Sequence, residues 1–252
     1  MRVFDYMDCV PNVKYHLEHF KNEPISFELS QPFDNLITEA SFLGFLLKLR
    51  ADKTNLYRAR IYPKNDMEIE FITNRLSHVF QGYDKERSGA PGQNFAKNNR
   101  ASREGERCLY AALDLITAVQ EVRPILDEYV SVAKLKLMES NMIIFDLTRK
   151  LSNHLLVSII NHDPINQAMK ELGVAINNEF MQPYRGSDKD YGFTQWFSDK
   201  VKNHRYQGIA YSSALHKGGS NLAIFSPDLW EPINSRLVKV SDIKYMIKTV
   251  KI

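Results

Sequence analysis

Cysteine is nearly absent from this chain: Cys9 and Cys108 are the two thiols in 252 residues. Two thiols supply no disulfide framework. Long apolar runs are also missing, and none approaches the roughly 20 residues that a bilayer span needs. Met1 to Phe20 carries Asp5, Asp8, Lys14, His16, Glu18 and His19, which excludes a secretory signal. Charge of one sign is scarce too. The formal net charge is +3, too small to argue for direct nucleic-acid binding. There is no internal repeat and no low-complexity tract. The expectation from these absences is a cytoplasmic protein with no membrane partner. What is present is ordinary for a globular fold: 44% apolar and 25% charged residues. The length suits one large domain or a domain with an extension.

The strongest local signal lies at residues 108–124. Cys108 to Leu113 reads as a short buried strand. Asp114 can cap a following helix, because its carboxylate accepts the orphan amide protons of a first helical turn. Leu115, Ala118 and Val122 recur at helical spacing, and Pro124 ends the helix. Tyr110 therefore leaves a strand and Glu121 leaves the helix after it. Open α/β sheets place ligands at such edges.

Elsewhere, residues 38–50 predict a helix with Phe42, Phe45, Leu46 and Leu49 on one side. Asn55 to Tyr62 alternates as a strand. It puts Leu56, Arg58, Arg60 and Tyr62 on one face and Tyr57, Ala59 and Ile61 on the other. Two arginines on one strand face make either an exposed edge or an anion clamp, since guanidinium offers phosphate a fixed fork of donors. Residues 81–107 form a long polar connection with six basic and four acidic side chains. It is a binding loop or a disordered insertion.

Strands are expected at 130–137 and 142–147, helices at 148–161, 165–178 and 193–203. Trp196 and Phe197 are expected as core anchors and His154 as a buried or interface histidine. Two strands follow, at 208–213 and 221–226, joined by the His216–Ser220 turn. A last strand begins at Leu237 and runs into a basic tail. His16 and His19 have a metal-like spacing, but nothing nearby completes a ligand set, so they read as a solvated face and no metal is expected. The helices cluster rather than alternate with strands, which predicts a mixed α/β (α+β) domain and not a doubly wound one.

Several segments together resemble the RES domain, the toxin half of Res–Xre toxin–antitoxin pairs. They are Leu56-Tyr57-Arg58-Ala59-Arg60-Ile61, Gly89-Ala90-Pro91, Arg100-Ala101 leading to Leu109-Tyr110-Ala111, and Thr117 to Pro124. Gly208 to Ser213 and Gly218 to Leu222 complete the set. Their order and spacing are similar to the family over roughly residues 54–227. The resemblance implies an ADP-ribosyltransferase-like mixed split β-sheet with flanking helices, spanning 51–252 as a RES domain behind a mainly helical extension at 1–50. It implies an enzyme that degrades NAD+ by hydrolysis or phosphorolysis of the nicotinamide–ribose bond, causing growth arrest. NAD+ is then substrate, an Xre-like helix-turn-helix antitoxin the partner, and a homodimer is allowed for. Transfer of ADP-ribose to a protein, or a weakened nucleotide-binding role, are the alternatives.

By the same resemblance the catalytic residues are Arg58, Tyr110 and Glu121. Arg60, Arg100, Ser102, Ser213 and Asn221 would contact the dinucleotide. The chain departs from the family where Gly-Arg-x-Asn reads Asn99-Arg100-Ala101-Ser102. Ser102 keeps a hydrogen-bonding hydroxyl with less reach than an asparagine. Without the resemblance, Tyr110 reads as a core aromatic, Glu121 as a solvent-facing helix residue and Ser213 as a turn former.

Overall fold

The structure is a computed structural model that describes residues 27–63, 79–148, 164–182 and 191–243. The expectations for His16, His19, His154 and the body of the 148–161 helix fall outside these residues. Eight strands make one mixed sheet in the order β1-β5-β6-β7-β3-β2-β4-β8. They are β1 (Leu46–Arg50), β2 (Asn55–Tyr62), β3 (Leu109–Ala112), β4 (Tyr129–Leu137), β5 (Asn141–Asp146), β6 (Gly208–Ser212), β7 (Ser220–Ile224) and β8 (Trp230–Lys239). The helices are α1 (Phe27–Thr38), α2 (Ala40–Leu43), α3 (Lys85–Ser88), α4 (Leu115–Glu121), α5 (Pro164–Met181) and α6 (Gly192–Asn203). The mixed α/β class expected from the sequence is the one observed.

One joint in this sheet matters most. β2 pairs with β4 along eight positions but with β3 at a single one, Tyr57↔Ala112. Beyond that point β2 and β3 splay apart. Tyr57 and Ala112 pin the apex, and α4 packs across it through Ala118 against Ala59 and Ala112. Three alanines let the helix approach the strands closely, so the end of α4 hangs over the opening. Asp114 caps α4 as expected: its carboxylate accepts from Thr117 N at 2.8 Å.

The main core lies on the face that carries α1, α5 and α6, where Phe33, Phe145, Phe180 and Phe197 are fully buried. Burial of each such ring contributes roughly 1.5–3 kcal/mol. Phe197 is buried and Trp196 packs against its cluster. A second core with Leu56, Leu109, Leu135 and Ile144 lies across the sheet.

The helix expected over 38–50 forms only as the short α2, Ala40–Leu43. Gly44, at φ 78°, stops α2 in a left-handed turn that glycine adopts without strain. Leu46–Arg50 then extends as β1 against β5. Phe42, expected on the buried side, is 54% exposed. Phe45 to Leu49 is apolar at every position but Lys48 and satisfies either period, and strand pairing decided between them. The last strand starts at Trp230, seven residues earlier than expected, and carries Pro232. β8 is an edge strand, where a proline is tolerated.

The long polar connection is not a disordered insertion. Asp84 caps α3, Gln93–Phe95 is a 3-10 turn, and Tyr83 N donates to Ser131 Oγ at 2.8 Å. Gly82 lies so close to Ser131 that a Cβ there would meet Oγ at 2.2 Å.

Candidate functional site

The splay between β2 and β3 opens into a cavity of about 370 Å3. Arg58 and Ala59 line one side, Cys108, Tyr110 and Ala111 the other. Ala118 and Glu121 of α4, with Val122 just after it, close one end, and Lys97, Asn99, Ser102 and Glu106 of the polar connection form a roof. Each element delivers its side chain for a local reason. The Asp114 cap fixes where α4 starts, and so which residue, Glu121, ends it over the opening. The alternation of β2 puts Arg58 at the splayed edge.

Glu121 is held from behind. Its Oε1 accepts from Ser213 Oγ at 2.6 Å and from Asn221 Nδ2 at 2.7 Å. Oε2 takes no hydrogen bond from any described residue. Ser213 Oγ also accepts from the amides of Leu215 and His216, so it shapes the turn and orients the carboxylate at once. That turn is clamped to α4: Thr117 Oγ1 donates to Asp114 at 2.5 Å and lies 2.6 Å from His216 Nδ1. Gly219 is required there, since a Cβ would lie 2.2 Å from Thr117 Oγ1.

Arg58 is half-buried, and its Nη1 reaches only the carbonyl oxygens of Arg87 and Ser88, at 3.4 and 3.3 Å. No carboxylate among the described residues pairs with it. Burial, helped by the neighbouring Arg60, lowers its pKa to about 10. Such a cation is costly where it sits and would gain from an anion.

The Tyr110 hydroxyl is engaged by the roof, accepting from Ala101 N at 3.0 Å and pairing with Ser102 Oγ at 3.1 Å. Burial raises its pKa well above the ordinary phenol value. It is a neutral phenol, and Tyr110 lines the cavity with its hydroxyl held by the roof. Burial likewise raises the Tyr211 pKa and pushes the Cys108 thiol up to about 12, so Cys108 is no nucleophile at neutral pH.

The fold thus brings Arg58, Ser102, Tyr110, Glu121 and Asn221 to one cavity, with Ser213 directly behind Glu121. Arg60 and Arg100 are not among its lining residues. Arg60 turns away, donating to Arg87 O at 2.8 Å and lying over the Tyr83 ring. Cys108, Tyr211 and Lys97 also line the cavity, and nothing in their local sequence marked them. Ser102, the departure from the family pattern, is buried against Tyr110 and anchors the roof.

Among the described residues no group of three His, Cys, Asp or Glu could hold a metal, and no helix is long and apolar enough to cross a membrane. The chain has no significant match among curated proteins. The sequence profile of the RES domain matches residues 74–243, which takes in Tyr110, Glu121, Ser213 and Asn221 and begins after Arg58. With two thirds of its length inside that match, the chain belongs to the RES domain family.

Proposed function

We propose that the chain is a RES-type toxin that cleaves the nicotinamide–ribose bond of NAD+. The observation that carries this reading is a carboxylate held by Ser213 and Asn221 through one oxygen, its other oxygen taking no hydrogen bond from a described residue, in a cavity that also presents an anion-seeking arginine. Heterolysis leaves the bonding electron pair on the nicotinamide nitrogen, which becomes neutral, and leaves positive charge on ribose C1. A fixed anion beside that carbon stabilises the transition state more than the ground state.

Glu121 Oε2 supplies that anion or accepts from a ribose hydroxyl. The Tyr110 ring offers a flat wall to nicotinamide. Arg58 offers its guanidinium to the diphosphate. Water or phosphate then attacks C1, and its proton leaves to Glu121 or to solvent. A helix-turn-helix antitoxin of the Xre kind belongs to the same proposal. Co-expression with such a partner should relieve growth arrest.

The test is turnover of NAD+ by the purified protein, with and without phosphate, with products identified by NMR. Free nicotinamide from wild type and not from Glu121→Ala is expected, and phosphate dependence names the acceptor. No turnover under either condition sinks the free-NAD+ reading. Label from NAD+ appearing on protein would then identify transfer.

A further inference from the structure

A second cavity, about 490 Å3, adjoins the first and shares Tyr57 as a wall. It is lined by Gln81, Lys134, Asn234 and Arg236. The register explains how they meet. Tyr57 lies opposite Lys134, Lys134 opposite Asn234, and Arg236 is two residues further along β8. The side chains at these positions share one face of the sheet. Lys134 and Arg236 are diagonal neighbours on adjacent strands, roughly 7–8 Å apart at Cα.

Neither Lys134 nor Arg236 forms an ion pair with a described residue, and no carboxylate among the described residues lines the groove. Two like charges facing one groove, with no carboxylate among its described lining residues, suit an anion. The first cavity, about 370 Å3, lies at the low end of the roughly 300–1,000 Å3 of small-molecule sites.

We propose that the Lys134–Arg236 groove is an anion subsite that takes the adenosine-phosphate half of a dinucleotide, with Tyr57 as the wall between the two halves. This rests on the reading of Glu121 as the site of glycosidic cleavage. Lys134 and Arg236 meet phosphate oxygens, and the half-buried Tyr57 ring provides a stacking face for the purine. The groove thereby selects a dinucleotide over nicotinamide mononucleotide.

The experiment is calorimetric titration of the full chain with ADP and, separately, with orthophosphate. Wild type and the Lys134→Ala, Arg236→Ala and double variants are compared, alongside kinetics on NAD+ and on nicotinamide mononucleotide. Each alanine should weaken ADP about tenfold, as expected for loss of a charge-assisted hydrogen bond. Each should also lower the preference for NAD+ over the mononucleotide by a similar factor. Lys134→Arg and Arg236→Lys should retain most of the ADP affinity, which separates charge from folding.

ADP affinity that survives the double substitution, or no ADP binding by wild type, overturns the subsite. Orthophosphate binding as tightly as ADP overturns the nucleotide assignment. If ADP binds through Lys134 and Arg236 but neither substrate is turned over, the cleavage reading fails and the subsite stands.

Discussion

Arg58 and Glu121 line the same cavity with opposite balances of support. Glu121 has two donors on one oxygen; Arg58 has long contacts to carbonyls and a repelling neighbour. Removing each should therefore have different consequences. Glu121→Ala should reduce NAD+ turnover by about a hundredfold or more, the typical loss for one electrostatic contact to a transition state. Arg58→Met should abolish most turnover and yet leave the apo protein as stable or more stable, because it removes a desolvated cation with no carboxylate partner among the described residues. Thermal unfolding of the apo protein checks this, and a clear drop in Tm would show that Arg58 serves the fold instead. Gly219→Ala should destabilise by about 1–3 kcal/mol, the usual cost of overpacking, since the new Cβ collides with Thr117 Oγ1. Urea denaturation measures it.

Helix α4 joins the fold to the site, and its start is set by Asp114. Burial pushes the Asp114 carboxyl up, but hydrogen bonds from Thr117 outweigh this and leave it below the ordinary carboxylate value. A carboxyl depressed in the folded state contributes stability above its unfolded pKa, roughly 3.9, and that contribution disappears as pH falls through the folded value. Asp114→Asn should therefore flatten the fall of stability below about pH 4. Asp114→Ala should cost about 1 kcal/mol at neutral pH through loss of the cap. Denaturant titrations from pH 3 to 7 test both. The roof is held by a different element. Along α6, Gln195 donates to Asn98 and to the carbonyls of Asn99 and Ser102, Asp199 pairs with Arg103, and Lys202 pairs with Glu106. These positions repeat at i, i+4 and i+7, one face of the helix. A roof tied to a core helix explains why a glycine-bearing polar segment is ordered.

At the scale of the molecule, one sheet carries two half-sheets joined at Tyr57↔Ala112. The half with β1 is buttressed by α1, α5 and α6; the half with β8 is covered by α4. Residues 27–50 contribute Phe33, Leu36 and Ile37 to the main core and β1 to the sheet. A chain begun at residue 51 should accordingly lose cooperative unfolding, since it removes an edge strand and three fully buried apolar side chains. Calorimetry on the truncated chain decides this; a single sharp transition near the full-length Tm would contradict it.

The sequence by itself determined the elements whose signals are local. Asp114 with a 3.6-residue apolar period specified α4, alternation specified β2, and the His216–Ser220 turn specified the β6–β7 hairpin. Which residues could form a site was legible only through the resemblance to RES domains. Glu121 and Ser213 are 92 residues apart, and no local pattern links them. Tertiary structure decided the rest. Strand pairing made β1 from an apolar run that also fits a helix. The edge position of β8 admitted Pro232. The single β2–β3 pair opened the cavity, the Arg87 carbonyl held Arg60 away from it, and the β4–β8 register set Lys134 diagonal to Arg236. These outcomes depend on register and on contacts between distant segments, which a period along one segment does not contain.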